Sequence, residues 1–308
     1  MKVVSVINYK GGVGKTTLTA NLGAYAAMKG YRVLMIDLDP QTHLTFSFMT
    51  PEEWGEKYKD TKTIKKYFDG FINKSVIDTS LSALVVPLEV PQCPKFDIIC
   101  STLEMADIDM KMAGKCTGQD DELVAGNTLM TYNCLRNGIE ELLGEYDLIL
   151  MDCPPNCNAI VRNALTASDY YLVPARLDYL SSLGIMGLSE NVNIFLTKYR
   201  KYNESRPELG YKAITVDMLG VVPMMVTITR GTKPQKVQAL YLSMFRQRGY
   251  YVFQYVRANN EIFGNQLHDK KGNVVPAVLA HMRADNTKSR VMGEMRQLCE
   301  EFIKRLGI

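Results

Sequence analysis

Short, nearly continuous apolar runs recur along this chain and alternate with stretches in which apolar residues return every three or four positions. Val3-Val4-Ser5-Val6-Ile7, Arg32-Val33-Leu34-Met35-Ile36, Leu148-Ile149-Leu150-Met151, Tyr170-Tyr171-Leu172-Val173-Pro174 and Met218-Leu219-Gly220-Val221-Val222-Pro223-Met224 have the length and composition of strands buried on both faces. Helical spacing predicts helices over about Thr16 to Met28, Thr128 to Leu143, Ala159 to Ala167, Leu183 to Tyr199 and Thr287 to Leu306. Gly30 ends the first of these, and the last places Val291, Met295, Leu298, Phe302, Ile303 and Leu306 on one face. Strands that alternate with helices in this way predict an α/β fold, a mostly parallel sheet with helices on both faces. The 308 residues are read as one domain of that kind.

Elsewhere the pattern is weaker. Between Thr50 and about Lys95, Trp54, Tyr58, Ile64, Tyr67 and Phe68 suggest one or two short helices, and Leu81 to Val86 reads as a strand. Pro87, Pro91 and Pro94 punctuate the exit from this segment. Phe96 to Ser101 reads as a further strand, and Gly114 to Gly126 reads as a polar, mobile loop. Lys233 to Arg248 reads as a basic helix.

The first apolar run feeds Asn8-Tyr9-Lys10-Gly11-Gly12-Val13-Gly14-Lys15-Thr16-Thr17. A strand, a glycine-rich turn and a helix wrap backbone N–H groups around phosphate oxygens and aim a helix N-terminus at them. Gly11, Gly12 and Gly14 allow positive φ and close approach to a polyphosphate, with the Val13 N–H between them. Lys15 then places a charge on the β- and γ-phosphates, Thr16 is positioned to ligate Mg²⁺, and Thr17 to meet the α-phosphate. The bland alternative is a glycine turn carrying two solvated lysines. By the strict pattern G-x-x-x-x-G-K-[ST] the chain fails, because Tyr9 stands where the first glycine belongs.

With Lys10 heading K-G-G-x-G-K-T, the loop resembles the deviant Walker A motif of the ParA/MinD group of ATPases. Asp37-Leu38-Asp39-Pro40-Gln41 resembles the first switch segment of ParA proteins, and Tyr146 to Pro155, ending in Asp152-Cys153-Pro154-Pro155, resembles the second. The Leu172-Val173-Pro174, Ser181 and Gly184 arrangement is similar as well. By that resemblance the fold is a P-loop NTPase, ATP and Mg²⁺ are the cofactors, Asp39 positions the hydrolytic water, Asp37 has a switch and metal-shell role, and Asp152 binds Mg²⁺ through water. Pro223 and Met224 fall near the adenine by analogy. His43 is read as a loop histidine.

The resemblance further implies an ATP-dependent sandwich homodimer in which Lys10 of each copy reaches the phosphates of the other, non-specific DNA binding, and hydrolysis stimulated by a ParB-type protein. It is weak over 51–95, which stands as a divergent insertion, and after about 255. No helix-turn-helix region precedes the loop, so operator-specific binding is not expected.

Composition refines this picture. Hydrophobic residues make up 46% and charged residues 22%, values of a globular protein, and no run has the length of a membrane span. The expected location is the cytoplasm, on the nucleoid when ATP is bound. Net charge is +3, yet residues 1–195 carry 17 Lys and Arg against 24 Asp and Glu, while 196–308 carry 19 against 9. Arg230, Lys233, Lys236, Arg246, Arg248 and Arg257 fall in a stretch from Asp217 to Glu261 with no acidic residue between, which suggests a polyanion partner such as DNA. The alternatives are a solvated face, a cargo-positioning ATPase whose basic face meets an acidic protein, or a MinD-like membrane ATPase using its last helix. That helix mixes Glu294, Glu300 and Glu301 with Arg296, Lys304 and Arg305, and is read as packing on the sheet. Seven cysteines read as reduced thiols. Cys153 and Cys157 lack the glycine-rich context of the cluster ligands in nitrogenase iron proteins, so a membrane and a metal cluster are both unexpected partners.

Overall fold

The computed structural model describes residues 1–74, 79–88, 93–229, 233–269, 271–281 and 287–308. β1 (Lys2–Val6), α1 (Lys15–Met28) and β2 (Val33–Asp37) open the chain. Then come α2 (Pro51–Lys57), α3 (Ile64–Lys74), α4 (Leu81–Leu84), β3 (Val86–Pro87) and β4 (Phe96–Ile99). α5 (Met105–Lys115), α6 (Asp121–Glu140), β5 (Leu148–Asp152), α7 (Ala159–Ala167), β6 (Tyr170–Ala175) and α8 (Tyr179–Ser205) form the middle. β7 (Asp217–Pro223), β8 (Ile228–Thr229), β9 (Lys233–Pro234), α9 (Lys236–Gln247), α10 (Asn260–Phe263), α11 (Ala277–Ala280) and α12 (Thr287–Leu306) complete it.

Seven strands form one sheet in the order β3-β4-β2-β5-β1-β6-β7, and β8 and β9 make a separate two-stranded ribbon. All neighbours in the large sheet are parallel except β3 and β4. β2 and β5 are buried at every position, as the unbroken apolar runs require of strands covered on both faces. Pro87, which cannot donate to a ladder, sits in the short antiparallel edge strand, where its missing N–H is tolerated. The α/β fold with helices on both faces is thus as expected.

The two faces hold two cores. On one, α3, α5, α6, α7 and α8 contribute Ile64, Tyr67, Ile108, Leu135, Leu165 and Leu188. On the other, α1 lies between the sheet and α12, with Leu18, Leu22, Met295, Leu298 and Phe302 buried together. α1 runs so close to the sheet that a Cβ at Gly23 would meet Met35 Sδ at 2.8 Å. In α12, Val291, Met292, Met295, Leu298, Cys299, Phe302 and Leu306 are all buried, so at about 1.5–3 kcal/mol per large apolar side chain the face contributes on the order of 10 kcal/mol before entropy is counted. The helix packs as expected. Among the described residues no helix is long and apolar enough to cross a membrane.

Four local expectations are corrected. Gly114 to Gly126 is mostly helical: α5 runs to Lys115, and α6 starts at Asp121 because the Asp120 carboxylate accepts the Leu123 N–H at 2.8 Å. Leu81 to Val86 forms a helical turn capped by Ser80 before the two-residue β3, since the Ser80 hydroxyl offers an N-cap that apolar content alone hides. α8 extends four residues earlier and six later than Leu183 to Tyr199. Asp178 caps it while its first residues, Tyr179 and Leu180, stay exposed, so apolar periodicity does not mark its start. The basic helix begins at Lys236, because Lys233 and Pro234 pair with β8.

The entries to β2 and β5 are tied by a fork. Arg32 donates to Asp147 through its backbone N–H at 2.8 Å and its Nη2 at 2.7 Å, and to the Gly144 carbonyl through Nη1. The Arg32 side chain and N–H hold the Asp147 carboxyl down at about 2. A carboxylate depressed in the folded state adds stability that is present above its unfolded value near 4 and is lost as pH falls towards 2. The urea midpoint of an Asp147→Asn variant is therefore expected to lie below that of the parent from pH 5 to 7, and the gap to close by about pH 2. A gap constant over that range would show that the acid contributes by shape alone.

Candidate functional site

Sheet register brings the chemistry to one edge. Val6 pairs with Asp152 on one side of β5, and Asp37 pairs with Asp152 on the other. The loop after β1 and the carboxylates ending β2 and β5 therefore meet at the C-terminal ends of three adjacent strands, where α/β sheets bind ligands.

The loop itself is a cradle. Gly12 has φ of 67° and Gly14 of 92°, conformations that L side chains rarely adopt, and nothing lies within 4 Å of where a Cβ at Gly11 or Gly12 would stand. Gly14 is the N-cap of α1, with no side chain capping the helix and no acidic residue in its first turn, so the helix end is left to receive negative charge. Val13 is buried and anchors the loop. Asn8 ties the loop to the sheet: its Nδ2 donates to the Pro174 carbonyl at 2.8 Å and its Oδ1 accepts the Lys10 N–H at 2.9 Å.

Two lysines leave this loop in different directions. Lys15 is 6% exposed, and its ammonium reaches only the carbonyls of Asn8 and Lys10, each at a long 3.4 Å. Burial pulls its pKa below the usual lysine value, against the attraction of Asp152 and Asp39. Lys10 is partly exposed and donates to Asp178 at 2.9 Å and Ser181 at 3.3 Å, in the first turn of α8. The Asp178 carboxyl is lowered in turn: burial raises it, but the Ser181 N–H and the Lys10 ammonium outweigh that.

The acidic side is equally ordered. Asp152 is fully buried, accepting Thr16 Oγ1 at 2.6 Å and Thr19 Oγ1 at 3.4 Å. Burial pushes its carboxyl up to about 7, with the Thr16 hydroxyl working the other way and the Asp39 charge adding to the rise. Asp37 is also fully buried and is raised well above the carboxylate range by burial and then by Asp152. One buried ammonium thus faces three carboxyl groups at this edge, two of them pushed towards the neutral acid, a shortage of positive charge that a divalent cation would relieve. Among the described residues no cluster of three or more His, Cys, Asp or Glu side chains could hold an ion alone. Thr16 and Asp152 fit such an ion only when phosphate oxygens or water complete its shell.

Asp39 lies in the loop after β2, where Pro40 turns the chain; its Oδ1 accepts the Gln41 N–H at 2.9 Å. Asp37 underpins that loop. Its Oδ1 accepts the Asp39 N–H at 3.2 Å and its Oδ2 accepts both the N–H and the hydroxyl of Thr45 at 2.8 Å. Oδ2 accepts two of these bonds and Oδ1 one, so Asp37 acts as a strut for the loop, with acceptor capacity left on Oδ1 alone. Thr17 lies in the first turn of α1 beside Thr16, and its carbonyl accepts Asn21 Nδ2 at 2.7 Å. Pro223 and Met224 end β7 in buried positions, and Met224 Cε would stand 3.1 Å from a Cβ on Gly14. Met224 braces the loop at Gly14. His43 is exposed, as expected of a loop residue.

Of the basic residues, Lys233, Lys236, Arg246 and Arg248 are exposed, and none makes an ion pair among the described residues. Arg257 is corrected: its guanidinium is engaged by Glu294 of α12 at 2.6 Å, with side chains 20% and 11% exposed, and it serves packing rather than a polyanion. Arg230 lies outside the described residues. Sequence reasoning missed Asn8, Thr19, Thr45 and Asp178 as parts of the site. Two local signals were present, the cap spacing of Asp178 and Ser181 and the turn from Asn8 to Lys10; Thr19 and the Asn8 amide reach partners more than a hundred residues away.

Comparison with known proteins agrees with this geometry. The AAA_31 family model, described as an AAA domain, matches residues 1–204. The sporulation initiation inhibitor protein Soj of Bacillus subtilis is 31% identical over 193 residues, 63% of this chain and 65% of that protein. The chromosome partitioning protein ParA of Caulobacter vibrioides is 27% identical over 195 residues, 62% of each chain. The match thus spans slightly less than two thirds of these relatives. An ATP complex of a Cyanothece McdA variant superposes with a TM-score of 0.67 at 19% identity, over all of this chain and 97% of that one, a likeness of fold.

Asn8 carries the test of how the cradle is held. Asn8→Ala leaves the Pro174 carbonyl and the Lys10 N–H without their partners, a cost of about 1–3 kcal/mol for each buried group left unpaired. Equilibrium unfolding is expected to show a loss in that range, and amide exchange to quicken from Tyr9 to Gly14. An unchanged exchange rate there would show that the glycine geometry holds the loop without the asparagine.

Proposed function

Because the chain belongs to the AAA_31 family and, within it, to the ParA/MinD group of P-loop proteins, we propose that it is a partition-type ATPase that uses Mg-ATP to switch between a free and a paired, DNA-bound state. The observation that carries this reading is the division of labour between the two loop lysines: Lys15 buried in the cradle, Lys10 held at the surface by Asp178. A second cation at the mouth of the cradle, retained by one exchangeable carboxylate, is suited to reach the phosphates bound by another copy.

In this mechanism the backbone N–H groups of Gly11, Gly12, Val13 and Gly14 and the Lys15 ammonium bind the phosphate chain, with Thr17 at its inner end. Thr16 and Asp152 hold Mg²⁺, which when bound neutralises developing charge on the phosphate oxygens. Asp39 orients the attacking water. Asp37 keeps the Asp39 loop in register through Thr45. Lys10 leaves Asp178 to complete the partner copy's site, as an arginine finger does in trans, and hydrolysis, stimulated by a ParB-type protein, separates the copies.

The exposed Lys233, Lys236, Arg246 and Arg248 support non-specific DNA binding through phosphate contacts. A second reading, an acidic protein as cargo, is favoured by one feature of α9: Val237, Leu240 and Met244 are 60%, 64% and 38% exposed on a single stripe flanked by Lys236 and Arg248. Binding a membrane through α12 would require exposing its buried face, and its roughly 10 kcal/mol weighs against that route.

Binding to random-sequence duplex is expected only with ATP, falling steeply as salt rises, and persisting longer in an Asp39→Ala variant that hydrolyses slowly. Lys10→Ala is expected to abolish ATP-dependent dimerisation in sedimentation and to lower hydrolysis at least about a hundredfold. Normal dimerisation and turnover in that variant would remove the trans role, and DNA binding absent under every nucleotide would favour the acidic-protein reading.

A further inference from the structure

Beside the cradle, and separate from it, a cavity of about 860 Å³ lies among α5, α6, α7 and α8, with Tyr9 of the loop in its wall. This volume is within the range of small-ligand sites. Arg162, on α7, is largely inside it. One guanidinium nitrogen, Nη1, donates to the Tyr132 hydroxyl at 2.9 Å, whereas Nε is buried with no hydrogen-bond partner. The guanidinium lies 5.8 Å from the centre of the Tyr132 ring and 6.0 Å from that of Phe195.

Arg162 makes no ion pair among the described residues. Its polar neighbours are neutral: burial pushes the Tyr132 hydroxyl up to about 12 and raises the Cys157 thiol, so neither supplies an anion near neutral pH. Asp109 also lines the cavity, but its Oδ1 accepts the Ile160 N–H at 2.9 Å in the first turn of α7. Lys198 stands at the rim with its ammonium 5.4 Å from the Tyr202 ring. With Asp109 as the one carboxylate in the lining, a half-buried guanidinium that makes no ion pair among the described residues, aromatic walls and a second cation at the rim leave the cavity an excess of positive charge that a bound anion would balance.

We propose that this cavity binds a small aromatic carboxylate, the carboxylate pairing with Arg162 and Lys198 and the ring lying against Tyr132 and Phe195. Its occupant touches both loops of the neighbouring cradle. Tyr9, whose hydroxyl accepts Asn191 Nδ2 at 2.8 Å, precedes Lys10, and Cys157 follows Pro154 and Pro155 beyond β5. The site does not depend on the ATPase reading, since Tyr9 is the only one of its residues in the glycine loop and is not among those assigned to phosphate.

The probes are 4-fluorobenzoate and its neutral isostere 4-fluorobenzamide, followed by ¹⁹F NMR on the full chain, with alkylation of Cys157 by iodoacetamide mapped in parallel by mass spectrometry. The benzoate is expected to bind with a dissociation constant of about 1 mM, in keeping with the small size of the probe, and the benzamide at least about tenfold more weakly. Arg162→Gln is expected to weaken benzoate binding at least about tenfold and Lys198→Ala about threefold. Benzoate should slow Cys157 alkylation in the parent and not in Arg162→Gln. Lys15→Ala should bind the benzoate as the parent does. Equal binding of the two probes, undiminished binding in Arg162→Gln, or loss of binding in Lys15→Ala, which would place the anion in the cradle, would each overturn the proposal. Should Arg162→Gln fail to fold, the exposed Lys198→Ala variant and protection of Cys157 in the parent decide it.

Discussion

Asp152 is a carboxylate buried at the end of a central strand, and the arrangement around it follows from the need to keep it there. Burial alone would drive it to the neutral acid. The hydroxyls of Thr16 and Thr19, both on α1, accept the task of solvating it, and the Lys15 ammonium adds its charge. Those three residues stand at the correct height only because the glycine turn lets α1 start directly above β1. One buried acid thereby couples the start of a helix to the end of a strand more than a hundred residues away.

The same edge shows why the acids of the site are fixed in orientation and yet short of positive charge. Asp37 and Asp152 are register partners on adjacent strands, so their carboxylates cannot separate without breaking the sheet. Each is supplied with hydroxyl or N–H donors, which settles its orientation, but hydrogen bonds from neutral groups do not cancel charge. The cradle is left with strong acceptors below and open backbone donors above, the polarity needed by a cation sandwiched against a polyphosphate.

Away from this edge, charges are treated in two ways. Arg257 and Glu294 close upon each other between the segment after α9 and α12, and Arg32 and Asp147 join two strand entries; these pairs hold elements together. Lys236, Arg246 and Arg248 are left to solvent on and at the end of α9, a helix that buries only Leu242 and Phe245, and Lys233 is exposed in the neighbouring β9. Arg162 belongs to neither group, being half-buried and making no ion pair among the described residues. The basic excess of the C-terminal third is accordingly a mixture of structural and available charge, which a count of residues cannot separate.

How much of this was legible in the sequence depends on the range of the interaction. The parallel α/β fold, the strand ends, the glycine cradle and its lysines, and the packed face of α12 were readable because each depends on residues adjacent in sequence or repeating at a helical or strand period. Where a cap overruled periodicity, as at Asp120, Ser80 and Asp178, the reading missed, since one side-chain hydrogen bond to a free N–H outweighs a weak apolar pattern. Arg257 was read as available for the same reason: nothing local marks Glu294, 37 residues on, as its partner. The sequence by itself determined which residues could bind phosphate, because that chemistry needs a short run of backbone N–H groups and one lysine. Only the tertiary structure decided that Asp37 is a strut, that Lys10 rests on Asp178, and that Arg162 makes no ion pair among the described residues, because those states depend on which distant groups burial brings within hydrogen-bonding reach.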